Sequence, residues 1–179
     1  MADSFWLTTC VVLVPGILLA SWIDYAQRRV PNWLNAALAA AGFAAQAYFH
    51  GLHGVALGAA GAAVGFAVLI VPWLMHGMGA GDVKLMTAIG VWLGPYMTLL
   101  SFCVGAVVGG GIAVAMIVGS GRMWCAYANA TTIMQKVSDR STVFSEFGSA
   151  KSFGSTSQLL PYGVPLTIGT LIVFFGQIC

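Results

Sequence analysis

The chain has 179 residues, of which 59% are hydrophobic and only 7% are charged. A soluble domain carries about 25% charged residues because its surface faces water, so the composition excludes soluble enzymes and indicates an integral membrane protein. The net charge of +2 is too small to indicate a nucleic-acid partner. The four cysteines form no C-x-x-C pair, so they predict neither a zinc site nor a disulfide framework.

Apolar runs that approach the roughly 20 residues of a membrane crossing occur along most of the chain. The first three cover residues 5–23, 33–49 and 55–74. The stretch 85–119 is too long for one ordinary crossing, and Gly94-Pro95 predicts a break that leaves a short helix before it and a long one after it. With a last run at 159–178, the sequence predicts an all-α membrane protein of about six transmembrane helices, folded as one polytopic domain over 1–179.

The basic residues predict the orientation of these helices. All seven Lys and Arg fall within 24–32, 76–84 and 120–158, whereas the connections at 50–54 and 94–95 have none. Cytoplasmic loops carry the excess of Lys and Arg. The segments 24–32, 76–84 and 120–158 are therefore predicted to be cytoplasmic, and the N-terminus is predicted to be external. The basic residues follow the first apolar run, so this run is predicted to be a retained span and not a signal peptide.

The long cytoplasmic loop at 120–158 divides into two parts. Apolar residues recur every three or four positions between Met123 and Val137, which predicts an amphipathic helix on the membrane surface. Residues 141–158 are mostly Ser, Thr and Gly, a composition typical of a flexible linker.

Two carboxylates stand at junctions between apolar runs and cytoplasmic segments. The predicted topology puts Asp24 and Asp82 at the same depth on the same face. Such a pair is the minimum apparatus of aspartic proteolysis, in which one group accepts a proton from water and the other donates one. Each residue alone also has a structural interpretation, since Asp24 could end a helix at the interface and Asp82 could cap one.

Three strings of residues accompany the carboxylates and separate these interpretations. They are Asp24-Tyr25-Ala26-Gln27-Arg28-Arg29-Val30-Pro31-Asn32, Gly79-Ala80-Gly81-Asp82-Val83-Lys84 and Leu160-Pro161-Tyr162-Gly163-Val164-Pro165. Together and in this order they resemble the type IV prepilin peptidase family, whose pattern is an Asp with a basic pair and I/V-P-N, then G-x-G-D-V-K, then a P-Y-G-P-like string. The G-x-G-D string alone is also similar to presenilin-like proteases.

The resemblance implies a membrane aspartic endopeptidase with catalytic Asp24 and Asp82. Such enzymes remove the short basic leader from pilin-like precursors at the cytoplasmic face of the bacterial inner membrane, with water as nucleophile and with no cofactor or metal. The implied partners are the precursor, the lipid bilayer and a pilus or secretion assembly machinery. The motif residues expected to position substrate or shape the site are Pro31, Asn32, Gly79, Gly81, Lys84, Pro161, Tyr162 and Gly163.

The sequence also bears on the branch of the family, and it leaves other classes of protein open. The interval between Asp24 and Trp33 is too short for the cysteine-paired insertion of the larger, methylating members, so the chain resembles the small peptidase-only branch that serves Flp or tight-adherence pili. A small proton- or cation-coupled transporter would also place carboxylates in membrane helices, and an inactive pilus-assembly scaffold is a third candidate. Lys84 could tune the carboxylates or extend to lipid phosphates.

Overall fold

The computed structural model describes residues 2–27, 30–74, 78–119 and 162–178, which are almost entirely helical. Four helices follow one another along the chain: α1 (Ala2–Gln27), α2 (Asn32–Leu74), α3 (Ala80–Gly119) and α4 (Gly163–Ile178). The described residues up to 109 and those of α4 form one compact unit, while the last turns of α3 belong to a second. The surface helix and the linker predicted within 120–158 lie outside the described residues.

Two of the helices are interrupted at a glycine where the backbone leaves the helical conformation. Gly51 in α2 has a φ of 61° and Gly94 in α3 has a φ of 73°, a region that a Cβ atom disfavours. Pro95 follows Gly94, and a proline has no N–H with which to continue the helical hydrogen bonds. The predicted break at Gly94-Pro95 is therefore confirmed, and the connection expected at 50–54 is reduced to Gly51.

The two segments of α2 (32–50 and 52–74) both pack on the start of α3, but in opposite directions. The contacting pairs are Asn35–Gly81 and Leu38–Trp92 for the first segment, and Gly58–Val91 and Gly65–Met86 for the second. In the first set, the residue numbers in α2 and in α3 both increase from one pair to the next. In the second set, the numbers in α2 increase while those in α3 decrease. The first segment is therefore parallel to the start of α3, and the chain reverses at Gly51.

The same comparison places α1 and α4 in the bundle. Helix α1 runs antiparallel to the first segment of α2 and to α4, as shown by the pairs Phe5–His50, Gly16–Leu38, Ser21–Thr167 and Trp6–Phe174. In consequence, the end of α1 and the starts of α2, α3 and α4 lie at one end of the bundle. This is the end that carries Asp24 and Asp82.

The bundle is apolar both inside and outside. Trp92, Phe174 and Ile17 are almost completely buried, and the Trp92 indole N–H donates to the Leu38 carbonyl oxygen at 2.8 Å. Large apolar side chains are nevertheless exposed on every helix, for example Leu7 on α1, Phe66 on α2, Val107 on α3 and Ile172 on α4. Such an exterior fits lipid and not water.

Length and composition agree with this exterior. Helices α1, α2 and α3 are each long and apolar enough to cross a membrane, and α4 is a shorter apolar helix. The chain is therefore a multi-pass membrane protein of helical type.

Candidate active site

The carboxyl group of Asp24 is held at the end of α1 by the backbone of another helix. Asp24 lies in the last turn of α1 and is only 6% exposed. The backbone N–H of Gly163, the first residue of α4, donates to its Oδ2 at 3.1 Å. A hydrogen bond to a carboxylate is stronger than one between neutral groups, so this contact fixes the rotamer of Asp24.

Two hydroxyl groups hold Gly163 in that position. The Ser21 hydroxyl, one turn before Asp24, donates to the Gly163 carbonyl oxygen at 3.1 Å. The Thr167 hydroxyl donates to the same oxygen at 2.8 Å and also contacts the Ser21 hydroxyl through a short hydrogen bond. The start of α4 is thus tied to α1 through both the N–H and the carbonyl oxygen of Gly163.

Asp82 belongs to the first turn of α3. The helix begins at Ala80, and the backbone N–H of Asp82 donates to the Gly79 carbonyl oxygen at 3.1 Å. The side chain is 6% exposed, and its Oδ1 has no hydrogen-bond partner within the described ranges. Asp82 is therefore not the residue that precedes the helix, but its carboxyl group still accepts a backbone hydrogen bond from Gly79 there, so a structural role at the helix start stays open beside the catalytic one.

The two carboxyl groups lie at the same end of the bundle. Asp24 and Asp82 come from different helices and are close enough to interact electrostatically. Burying two acidic groups in the same region lowers the stability of a protein. Such pairs therefore occur mainly where a function needs them. The arrangement can supply a proton acceptor and a proton donor to one bound reactant.

The motif residues around Asp82 pack on the segment that enters α2. A Cβ atom on Gly81 would lie 3.2 Å from the Cβ of Val30, so α3 approaches this segment closely. Lys84 is exposed, and its Nζ donates to Oδ1 of Asn32 at 2.8 Å. The carbonyl oxygen of Pro31 accepts hydrogen bonds from the backbone N–H groups of two residues in the first turn of α2.

The remaining predicted residues have different outcomes. Gly79 lies beside Asp82, since a Cβ atom on this glycine would be 3.3 Å from Oδ2 of Asp82. Tyr162 is a half-buried turn residue directly before α4. Pro161 lies outside the described residues.

The sequence did not single out three polar residues that the structure places at the site. They are Ser21, Thr167 and Asn35, of which Asn35 is buried and donates from Nδ2 to the Gly81 carbonyl oxygen at 3.3 Å. Their common property is a polar side chain within an apolar helix, which is an expensive placement in a membrane protein and a pointer to function. Across the part of the chain that the structure describes, no group of three or more His, Cys, Asp or Glu side chains could hold a metal ion.

Comparison with known proteins agrees with the three motifs. The model of the type IV leader peptidase family matches residues 11–114, which include both Asp24 and Asp82. The chain belongs to the type IV leader peptidase family. Membership in this peptidase family indicates a protease and supports a leader peptidase of the prepilin type. No curated protein and no solved structure matches the chain.

Proposed function

We propose that this leader peptidase is an aspartic endopeptidase of about six membrane-crossing helices, which cleaves the short basic leader from pilin-like precursors. The observation that carries the proposal is the pair of buried carboxyl groups, Asp24 on α1 and Asp82 on α3, within electrostatic range of each other. One carboxylate accepts a proton from the attacking water, and the other carboxyl group donates its proton to the peptide carbonyl oxygen. The proton taken from water then passes to the leaving amine.

The depth of the two carboxyl groups supports a peptidase over a transporter. Trp22 and Tyr25, the neighbours of Asp24 on α1, are each 71% exposed, and Trp33 is 65% exposed at the start of α2. Exposed Trp and Tyr side chains concentrate at the membrane–water interface. Asp24 therefore belongs to the interfacial layer, whereas a transport site normally lies near the bilayer midplane.

The charge distribution supports cleavage at the cytoplasmic face. Lys84 lies at the end of the bundle that carries both Asp residues, and the two connections at the opposite end contain no Lys or Arg. Under the positive-inside rule, the end with the carboxyl groups faces the cytoplasm. The reversal at Gly51 and the break at Gly94 support six crossings, because each lets one long helix cross twice.

The motif residues are proposed to shape the groove for the substrate. The Lys84–Asn32 hydrogen bond joins α3 to α2 beside the carboxyl groups, and Pro31 sets where α2 begins. Gly79 leaves room for an extended peptide backbone beside Asp82, whereas Gly81 lets α3 pack closely on Val30. The resemblance to prepilin peptidases implies a precursor with a basic leader before the cut and an apolar helix after it.

Co-expression with candidate pilin precursors tests the proposal. Leader removal by the unmodified protein is expected to appear as a shift of the precursor on a gel. Asp24→Asn and Asp82→Asn should each abolish the shift, because an amide keeps the volume of the side chain but cannot exchange the proton.

Asp3→Asn is the matched control, since Asp3 lies on the same helix as Asp24 but at its other end. This variant should process the precursor normally. Near-normal cleavage by Asp24→Asn or Asp82→Asn at equal expression would contradict the proposal and would favour the transporter or the scaffold.

A further inference from the structure

Two side-chain oxygens beside the start of α3 are buried without a donor among the described residues. They are Oδ1 of Asp82 and Oδ1 of Asn35. Asp82 is 6% exposed and Asn35 is 4% exposed, so each side chain is more than nine-tenths buried. Buried acceptors in native proteins nearly always receive a hydrogen bond, and an exception requires a reason.

The hydrogen bond of the Asn35 amide fixes its orientation. Its Nδ2 donates to the Gly81 carbonyl oxygen at 3.3 Å. The flipped amide would face that carbonyl with Oδ1, and two acceptors would then oppose each other. The Nδ2 end is therefore committed to Gly81, and Oδ1 is the free end of an amide that lies beside the peptide unit joining Gly81 to Asp82.

Asn35 is also held firmly in place. Its backbone N–H donates to the Pro31 carbonyl oxygen at 3.4 Å in the first turn of α2. The backbone of Asn35 is thus fixed within its own helix, and its side chain is fixed by α3. A polar group that is this rigid is suited to orient a reactant, because little entropy is lost when it binds.

We infer that Asn35 is a further catalytic residue, whose Oδ1 holds the attacking water together with Oδ1 of Asp82. This inference rests on the proposed function. Water has two O–H groups, and the two acceptor oxygens without a donor, Oδ1 of Asn35 and Oδ1 of Asp82, take one each. The lone pairs of the water oxygen are then left free to attack the peptide carbonyl carbon.

The roles of the two acceptors differ during the reaction. As the water oxygen bonds to the carbonyl carbon, one O–H bond breaks and its proton passes to Asp82. The Asn35 amide does not take a proton, so the second hydrogen stays on the new hydroxyl group. Asp24 gives a proton to the carbonyl oxygen, so a gem-diol forms. The C–N bond then breaks as Asp82 passes the proton from water to the amine nitrogen, and one gem-diol hydroxyl returns a proton to Asp24.

The first measurement compares Asn35→Leu with Gln46→Leu. Leucine has nearly the size of asparagine but no polar atom. Gln46 is the matched control, because it is another buried amide of α2 that donates to α3 carbonyl oxygens, those of Val91 and Trp92 at 3.2 and 3.3 Å. We expect kcat to fall roughly 10–100-fold in Asn35→Leu with KM within about twofold, and both constants to stay near those of the parent in Gln46→Leu.

The second measurement separates water binding from packing. A peptide analogue with a hydroxyl group at the cleavage position mimics the attacked state, and its methylene counterpart lacks that group. Asn35→Leu should lose roughly 10-fold in affinity for the hydroxyl analogue and bind the methylene analogue like the parent. Asn35→Ala gives the same comparison if leucine disturbs the contact between α2 and α3.

The outcomes distinguish this inference from the proposed function. Equal weakening of both analogues would assign Asn35 to packing alone and overturn the inference. Full kcat in Asn35→Leu beside an active parent would do the same and leave the proposed function intact. A parent that cleaves no precursor fails the proposed function, and the Asn35 assignment fails with it.

Discussion

Gly163 contributes to the candidate site through its backbone and through the space above its Cα atom. Its N–H donates to Oδ2 of Asp24 at 3.1 Å. A Cβ atom added to Gly163 would lie 2.7 Å from that same oxygen, well inside the van der Waals contact distance. Every other residue type would therefore have to displace either Asp24 or the start of α4.

Gly163→Ala is expected to lower the kcat of leader cleavage by at least about 10-fold, since small shifts of a reacting group are costly. Gly176→Ala is the matched control, because Gly176 lies on the same helix and an added Cβ atom there would have no neighbour within 4 Å. Cleavage of a pilin precursor by the two purified variants measures the effect. Equal activity of both variants would show that Asp24 tolerates the displacement.

The sequence predicts part of this residue-level arrangement. Asp24, Asp82 and Gly163 stand within recognisable strings, so their importance follows from the motifs. Ser21 and Thr167 could not be predicted as a pair, because each is an ordinary helix residue until the fold brings their hydroxyl groups together. Local sequence does not encode a contact between α1 and α4.

At the level of the helices, α2 and α3 approach each other through glycine. Gly61 of α2 and Gly90 of α3 meet backbone to backbone, and a Cβ atom on either would overlap the carbonyl group of the other. Small residues permit such contacts between membrane helices, where dispersion forces and not water exclusion stabilise the packing. The close contact positions the start of α3, and with it Asp82, relative to α2.

Gly61→Ala is expected to destabilise the protein by about 1–3 kcal/mol, because the added methyl group forces the two helices apart. Thermal unfolding in detergent, followed by the loss of helical circular dichroism, measures this change. Gly110→Ala should leave the midpoint unchanged or slightly raised, since Gly110 has open space around it. A midpoint for Gly61→Ala that equals that of the parent would contradict the close packing.

The helix bounds show which ends and breaks of the helices hydropathy can predict and which it cannot. The break at Gly94 is predictable because Pro95 follows it, whereas Gly51 has no proline beside it and could only be located within 50–54. Helix α1 continues to Gln27, past the apolar run that ends near Ile23, because a helix can extend beyond the membrane core that hydropathy detects. Asp24 therefore belongs to a helical turn and not to a loop.

For the whole molecule, the alternating directions of the helical segments predict which sites face which side of the membrane. Gln27 and His53 are both exposed and lie at opposite ends of the bundle. We expect a single cysteine at His53 to react with an impermeant maleimide on intact cells, and one at Gln27 to react only after permeabilisation. This expectation follows from the basic residues near Gln27, because the positive-inside rule assigns segments rich in Lys and Arg to the cytoplasmic side.

The experiment requires a background in which Cys10, Cys103, Cys125 and Cys179 are replaced. Labelling both positions after permeabilisation controls for accessibility. If the cysteine at Gln27 labels from outside as readily as the one at His53, the proposed orientation is wrong.

The hydrogen bond from Gly163 to Asp24 also has a consequence for the order of synthesis. The ribosome completes α1 and α3 well before it reaches α4, so both acidic residues enter the membrane before the backbone group that fixes one of them. A nascent chain that ends before Gly163 therefore has both carboxyl groups but an unsupported Asp24. If Asp24 acts as proposed, we expect leader cleavage only after the last helix is inserted, because Asp24 lacks the Gly163 hydrogen bond until then.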